Sequence, residues 1–138
     1  MRRTLSPSIA QHLVYGPVPS RRLGRSLGVD LVPLKTCTYD CVYCQLGRTT
    51  RKTVRRQRGA DPDAVVAQVR DRLSSKPDVI ALAGSGEPTL HAGIGAVIDG
   101  VKAITDVPVA VITNGSLISR PAVRRGLAAA DIVLPSLD

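Results

Sequence analysis

The stretch Asp78-Val-Ile-Ala-Leu-Ala83, followed at once by Gly84-Ser-Gly-Glu-Pro88, decides the fold class. Its apolar residues run without alternation, which is typical of a parallel strand that is covered on both faces. The glycine-containing sequence after it is typical of the turn that follows such a strand. A second run of the same kind, Val107 to Thr113, ends in Asn114-Gly115. Both runs therefore predict buried parallel strands with a polar loop at the carboxyl end.

Helical patterns separate the predicted strands. Asp61 and Pro62 suit the N-cap and the first position of a helix that extends to Ser75. The remaining predicted elements are helices over 92–104 and 119–130, and strands over 27–33 and 131–135. Strands that alternate with helices of this length indicate parallel pairing through right-handed crossovers. We therefore expect an α/β fold with four parallel strands.

The length of 138 residues suits one compact domain. We assign residues 1–26 to a basic N-terminal extension and residues 27–138 to the α/β core. The sequence ends at Asp138, directly after the fourth predicted strand. Four parallel strands without closure would expose an edge, so we expect this chain to be part of a longer protein.

Positive charge is concentrated in the first part of the chain. The net charge is +8, and residues 1–58 carry twelve Lys and Arg against two acids. Residues 48–58 (RTTRKTVRRQR) hold six cations and no acid. Such a block attracts phosphates, and nucleic acid is the obvious candidate. It is also typical of a solvated basic loop, and the lack of an interleaved aromatic residue to stack on bases favours that interpretation.

All three cysteines fall within eight residues, as Cys37, Cys41 and Cys44 in the spacing C-x3-C-x2-C. Three soft thiolates select zinc or an iron–sulfur species. A closed zinc site takes four ligands, and the chain has no fourth cysteine, although His12 or His91 would supply a nitrogen. Three thiolates on a cubane leave one iron open. The spacing favours the cluster over zinc, and both over an inert stripe of buried cysteines.

The cysteine spacing, with Tyr43 directly before the third cysteine, resembles the signature of the radical SAM superfamily. The resemblance extends from about residue 16 to the end and implies a partial parallel (β/α) barrel, here truncated after the fourth strand. It implies that Cys37, Cys41 and Cys44 ligate three irons of a [4Fe–4S] cluster. The fourth iron would bind the amino and carboxylate groups of S-adenosylmethionine.

The motifs after the later strands also resemble the family's. The glycine-rich element after the second strand binds the methionyl amino group in the family, because glycine lets carbonyls approach an ammonium and Glu87 adds negative charge. Ser85 stands where the family has its first glycine. The turn at Asn114 is also explained as a plain end of a strand. The residues expected to bind the cofactor are Tyr43, Gly84, Ser85, Gly86, Glu87, Pro88, Asn114, Ser136 and Asp138.

The implied activity is that of a radical SAM Fe–S oxidoreductase. The cluster would accept an electron from a flavodoxin or ferredoxin and cleave S-adenosylmethionine to a 5′-deoxyadenosyl radical, which abstracts hydrogen from the substrate. No separate acid–base residue is expected. Residues 16–30 further resemble a subgroup that is grouped with the tRNA wyosine-forming enzymes, which suggests a tRNA base or another anionic substrate. Arg21, Arg22 and Arg25 lie in this stretch and would hold an anion, or simply be solvated.

Two other classes of protein remain as hypotheses. One is a zinc-stabilised, basic nucleic-acid-binding module, and the other is an electron-transfer iron–sulfur protein, which would want a fourth cysteine. No apolar run approaches the roughly 18 residues of a membrane span, and the N-terminus lacks an apolar signal region. We therefore expect a cytoplasmic protein with no membrane partner.

Overall fold

A computed structural model describes residues 13–21, 23–31, 36–37, 51–52, 59–83 and 87–135, with backbone alone at 36–37 and 51–52. Its strands are β1 (Val14–Ser20), β2 (Gly24–Asp30), β3 (Thr36–Cys37), β4 (Arg51–Lys52), β5 (Val79–Ala83), β6 (Val109–Thr113) and β7 (Ile132–Pro135). Its α-helices are α1 (Pro62–Arg72), α2 (Ile94–Ile104) and α3 (Pro121–Leu127), and 3-10 turns cover Leu73–Ser75 and Pro88–Leu90. No helix in these ranges is both long enough and apolar enough to cross a bilayer.

The described strands form a mainly parallel sheet in the order β1-β2-β5-β6-β7. Neighbouring strands from β2 to β7 in this order pair in parallel. An α-helix precedes each of β5, β6 and β7 in the chain. The sheet is not closed. This is the mixed α/β architecture of a partial radical SAM barrel, so the predicted fold class is confirmed.

The sequence reasoning missed β1, which pairs antiparallel with β2. Pro17 and Pro19 made this stretch unlike a strand, but β1 is the outermost strand of the described sheet, where a residue without an N–H is tolerated. The first parallel strand also differs from the predicted 27–33, since β2 begins at Gly24 and ends at Asp30. The division of domains at residue 26 stays a prediction.

The helices lie on one face of the sheet. α2 contacts both α1 and α3, so the three form a single layer. Alternate strand residues face this layer and are buried, among them Leu27, Leu82 and Val111. In the helix layer, Val65 and Val69 of α1 and Ile94 and Ile98 of α2 pack against them. The core is therefore aliphatic, as the chain's lack of Phe and Trp requires.

The opposite face of the sheet carries small side chains at its centre. Gly28, Ala81 and Ala110 lie in register on three neighbouring strands. Each alternates with a residue that faces the helices, so the Cβ atoms of Ala81 and Ala110 point away from the helix layer. At the centre of the sheet the two faces thus differ, with bulky aliphatic residues against the helices and small residues on the other side.

We predict that the two faces differ in their contribution to stability. Leu82 is fully buried against the helices, so Leu82→Ala should lower the free energy of unfolding by about 2–5 kcal/mol. Ile112 is half-buried on the other face, so Ile112→Ala should cost clearly less. Urea denaturation of the two variants measures the difference, and equal losses would contradict the layer arrangement.

Candidate functional site

The predicted site residues that the structure describes follow neighbouring parallel strands along the chain. Cys37 follows β2, Glu87 and Pro88 follow β5, and Asn114 follows β6. Because these strands are parallel neighbours, their carboxyl ends lie at one edge of the sheet. The predicted residues that lie outside the described ranges are Cys41, Tyr43, Cys44, Gly84, Ser85, Gly86, Ser136 and Asp138.

Cys37 lies in the short strand β3, which pairs in parallel with β4. In this register Thr36 is opposite Arg51, and Cys37 is opposite Lys52. Two residues of the basic block, Arg51 and Lys52, therefore lie beside the backbone of the first cysteine. The sequence alone gave no reason to place the two features together.

The donor set suits an iron–sulfur cluster better than a hard cation, because three thiols occur within eight residues. Within the described ranges no three His, Cys, Asp or Glu side chains come together as a metal site. The side chains of Cys37, Cys41 and Cys44 are not among those that the structure describes. The fit of the chain to a cluster thus rests on the cysteine spacing and on the place of Cys37 after β2.

Glu87 is the best-defined polar residue at this edge of the sheet. Its side chain is only 3% exposed. One carboxylate oxygen accepts from the backbone N–H of Thr89 at 3.2 Å, from the Thr89 hydroxyl and from the Thr113 hydroxyl. The other accepts from the backbone N–H of Asn114 at 2.8 Å. The protein's own donors thus satisfy both carboxylate oxygens.

These bonds tie the loop after β5 to the end of β6. Thr113 and Asn114 belong to the strand end, and Thr89 belongs to the 3-10 turn Pro88–Leu90. A buried carboxylate with this many donors is stable only if they stay in place. Glu87 therefore fixes the two loops relative to each other, and its predicted charge effect on the cofactor's amino group stays a prediction.

Asn114 and Gly115 form a hydrogen-bonded turn at the end of β6. The Asn114 side-chain oxygen accepts from the backbone N–H of Ser116 at 3.0 Å, and Gly115 has a φ of +79°. An amide oxygen bonded two residues ahead is an ordinary turn device, and glycine takes a positive φ without strain. The turn explanation of this motif is thus supported, and a contact of Asn114 with the cofactor stays a prediction.

His91 is buried, with 2% of its surface exposed, and both ring nitrogens are engaged. Nε2 lies 2.6 Å from the backbone oxygen of Ala60, and Nδ1 accepts from the backbone N–H of Gly93 at 2.8 Å. A metal would need one of these nitrogens as a lone-pair donor. In this conformation His91 is therefore not available as the fourth ligand of a zinc site.

Tyr15 is a polar residue near the same edge that the sequence reasoning missed. A Cβ on Gly28, its neighbour across the β1–β2 pair, would lie 2.2 Å from Tyr15 Cζ, so the Tyr15 ring covers Gly28 on the face away from the helices. Burial raises the pKa of the Tyr15 phenol, and the negative charge of Asp30 raises it further. The signal in the sequence was the glycine inside a strand, which often marks a close approach.

The chain matches the radical SAM superfamily over residues 31–138, and it belongs to that superfamily. Membership implies a [4Fe–4S] cluster and S-adenosylmethionine in general, and an enzyme of the Fe–S oxidoreductase type.

Among curated proteins, the chain is similar to UPF0026 proteins. One from Methanocaldococcus jannaschii is 41% identical over 130 residues, covering 91% of this chain and 40% of that protein. One from Synechocystis is 40% identical over 126 residues, covering 91% and 48%. The chain thus spans less than half the length of these relatives.

A protein of Brachyspira hyodysenteriae named GTPase Obg is 45% identical over 127 residues, covering 91% of this chain but 19% of that protein. The name describes that much longer protein, and this chain contains no glycine-lysine pair of the kind that a P-loop requires. No solved structure matches the chain significantly.

We predict that Glu87→Gln destabilises the protein by about 1–3 kcal/mol. An amide has one accepting oxygen, whereas the backbone N–H groups of Thr89 and Asn114 bond to different oxygens of Glu87. The substitution therefore leaves one buried N–H facing an NH₂ group. Denaturant unfolding of the variant measures the cost.

The matched control is Thr113→Val, which leaves the N–H groups of Thr89 and Asn114 bonded to Glu87. It removes one hydroxyl donor to Glu87 and the acceptor of the half-buried Gly115 N–H. Its cost should be smaller than that of Glu87→Gln. If Glu87→Gln unfolds at the same denaturant concentration as the wild type, the carboxylate does not tie the two loops together.

Proposed function

We propose that this chain carries the cluster-binding and cofactor-binding part of a radical SAM enzyme, with Cys37, Cys41 and Cys44 as the iron ligands. The observation that carries the proposal is the three-cysteine motif, whose first member follows the carboxyl end of β2 along a chain that belongs to the superfamily. This is the edge of a parallel sheet where binding loops collect. Glu87 and Asn114 lie at the same edge.

When bound, the reduced cluster would supply one electron to S-adenosylmethionine, whose carbon–sulfur bond would break to give methionine and a 5′-deoxyadenosyl radical able to abstract hydrogen. The chain's own residues have other tasks. The cysteines hold three irons and leave the fourth open. Gly84, Ser85 and Gly86 offer backbone groups to the methionyl end, next to the loop that Glu87 fixes. Tyr43, Pro88, Asn114, Ser136 and Asp138 are the further proposed contacts with the cofactor.

The structure weakens the hypothesis of a zinc-stabilised module. Its fourth ligand was to be His12 or His91, and both ring nitrogens of His91 are engaged by backbone groups. His12 lies outside the described residues. The electron-transfer hypothesis still wants a fourth cysteine, which the chain does not contain.

We further propose an anionic substrate, with a tRNA base as the leading candidate. Two features support it. The first part of the chain carries the excess of positive charge, and the pairing of β3 with β4 sets Lys52, a member of the basic block, opposite Cys37. Phosphate contacts by Lys and Arg position a nucleic acid without reading its sequence. The resemblance to the tRNA wyosine-forming subgroup points the same way, and a flavodoxin or ferredoxin is the proposed reductant.

We predict that Cys41→Ala abolishes cluster binding and cofactor cleavage. The wild-type chain, reconstituted anaerobically and reduced with dithionite, should contain four irons per chain in the presence of S-adenosylmethionine and release 5′-deoxyadenosine. Two thiolates do not hold the cubane, so the variant should be nearly free of iron. Iron and sulfide analysis, with chromatography of the nucleoside, measures both results.

Lys102→Ala is the control, because Lys102 pairs with Asp131 on an exposed surface near the amino ends of β6 and β7. It should keep the cluster and cleavage of the wild type. A colourless wild-type protein with one bound zinc would contradict the proposal and favour the zinc module.

We predict that the basic block binds tRNA through phosphates. Replacing Arg55 and Arg56 by Gln should weaken binding. It should also make the fall of log K with log salt less steep, by roughly one for each lost phosphate contact. The control, with Arg124 and Arg125 of α3 replaced by Gln, removes the same charge elsewhere. Filter binding over a salt series measures both. Equal effects of the two double variants would contradict a specific role for the block.

A further inference from the structure

The described residues that flank the segment bearing the cysteines meet at the end of β2. We define the cluster-bearing segment as residues 32–58. It follows Leu31 at the end of β2 and ends before Gly59 and Ala60. The backbone oxygen of Leu31 accepts from the backbone N–H of Ala60 at 2.8 Å. A direct hydrogen bond therefore joins the two ends of the segment.

His91 holds this junction from the other side. Its Nε2 lies 2.6 Å from the Ala60 oxygen, and a carbonyl only accepts, so Nε2 carries the proton and donates. Its Nδ1 accepts from the Gly93 N–H, which belongs to the N-cap residue of α2. A continuous chain of hydrogen bonds thus runs from Leu31 through Ala60 and His91 to the start of α2.

The close packing around the ring leaves little room for adjustment. A Cβ on Gly59 would lie 2.0 Å from the Leu31 oxygen and 2.8 Å from Cδ2 of His91. A Cβ on Gly93 would lie 2.9 Å from Cε1 of His91. The imidazole is therefore enclosed between two glycines, and only glycine at position 59 lets the backbone approach Leu31 so closely.

The element that carries His91 is also fixed at its other end. Glu87 accepts from Asn114 at the end of β6, and His91 donates to Ala60 only four residues later. The 3-10 turn between them is buried. Residues 87–91 therefore connect the glycine-rich loop directly before them to the closing end of the cluster-bearing segment.

We propose that His91 is a positioning residue that sets the cluster-bearing segment against the glycine-rich loop, and so sets the cluster against the methionyl end of the cofactor. This inference rests on the proposed function. His91 acts through the Ala60 carbonyl and touches neither group itself. An ordinary buried histidine would serve only the stability of the fold, and the two roles have different experimental signatures.

Two variants divide the bonds of His91 between them. In His91→Gln, the longer side chain keeps an N–H donor for the Ala60 oxygen and gives up the Gly93 bond. In His91→Asn, the shorter side chain keeps an acceptor for the Gly93 N–H and does not reach Ala60. Val123→Ala, in the core of α3, supplies a destabilised control with the junction intact.

The first measurement uses the apo chain and needs no cluster. Hydrogen exchange at the Ala60 amide reports the junction with Leu31. We expect its protection to fall about tenfold in His91→Asn, and to stay within a few-fold of the wild type in His91→Gln and in Val123→Ala. Unchanged protection at Ala60 in His91→Asn would overturn the inference whatever the fate of the proposed function.

The second measurement uses the anaerobically reconstituted chain. The rate of iron loss to a chelator should rise about tenfold in His91→Asn, because residues that hold the ligands of a metal in place contribute to its retention. The rate should return toward that of the wild type in His91→Gln. S-adenosylmethionine changes the EPR spectrum of the reduced cluster. This change should differ from that of the wild type more in His91→Asn than in His91→Gln. Val123→Ala should lower the Tm and leave both readouts unchanged.

The outcomes separate the two proposals. A wild-type chain that binds no cluster contradicts the proposed function, while the exchange experiment still tests the junction. If the wild type binds a cluster and all three variants lose iron to the chelator at the wild-type rate, the inference is overturned and the proposed function stands. If the changes in amide exchange and in iron loss follow the decrease in Tm across all three variants, Val123→Ala included, His91 serves stability alone and the inference is overturned.

Discussion

The parallel pairing of β2, β5 and β6 is the constraint on which the candidate site depends. Hydrogen bonds between strands that run in one direction bring their carboxyl ends to a single edge, so that the loops after each strand become neighbours. Cys37, Glu87 and Asn114 are far apart in sequence and follow three successive strands of this sheet. The aliphatic helix layer on one face stabilises the pairing, and the chemistry is left to the edge.

Polar groups buried at that edge then fix the loops to one another. The Glu87 carboxylate connects the loop after β5 to the end of β6, and the His91 imidazole connects the same short element to Ala60. Both groups are nearly inaccessible to water, so each bond lost would leave a buried donor or acceptor unsatisfied. Rigid support for a binding site is therefore built from side chains that need not touch the ligand.

Local pattern was enough for much of this protein. The unbroken apolar runs at β5 and β6 predicted parallel strands, because alternation is absent when both faces are covered. Pro62 placed the start of α1 correctly, since its fixed φ suits the first turn. The edge strand β1 was missed because Pro17 and Pro19 are poor strand residues, and only the sheet order shows that they lie where a missing donor does no harm.

The sequence by itself determined the donor set of the site: three thiols within eight residues suit zinc or an iron–sulfur species, and their spacing predicts the cluster. It also determined the class of fold, through the alternation of buried strands and helices. Only the tertiary structure decided that Glu87 accepts from Thr113 and that His91 bonds to Ala60. Hydrogen bonds across some thirty residues depend on how strands and turns pack, and no local pattern encodes that distance.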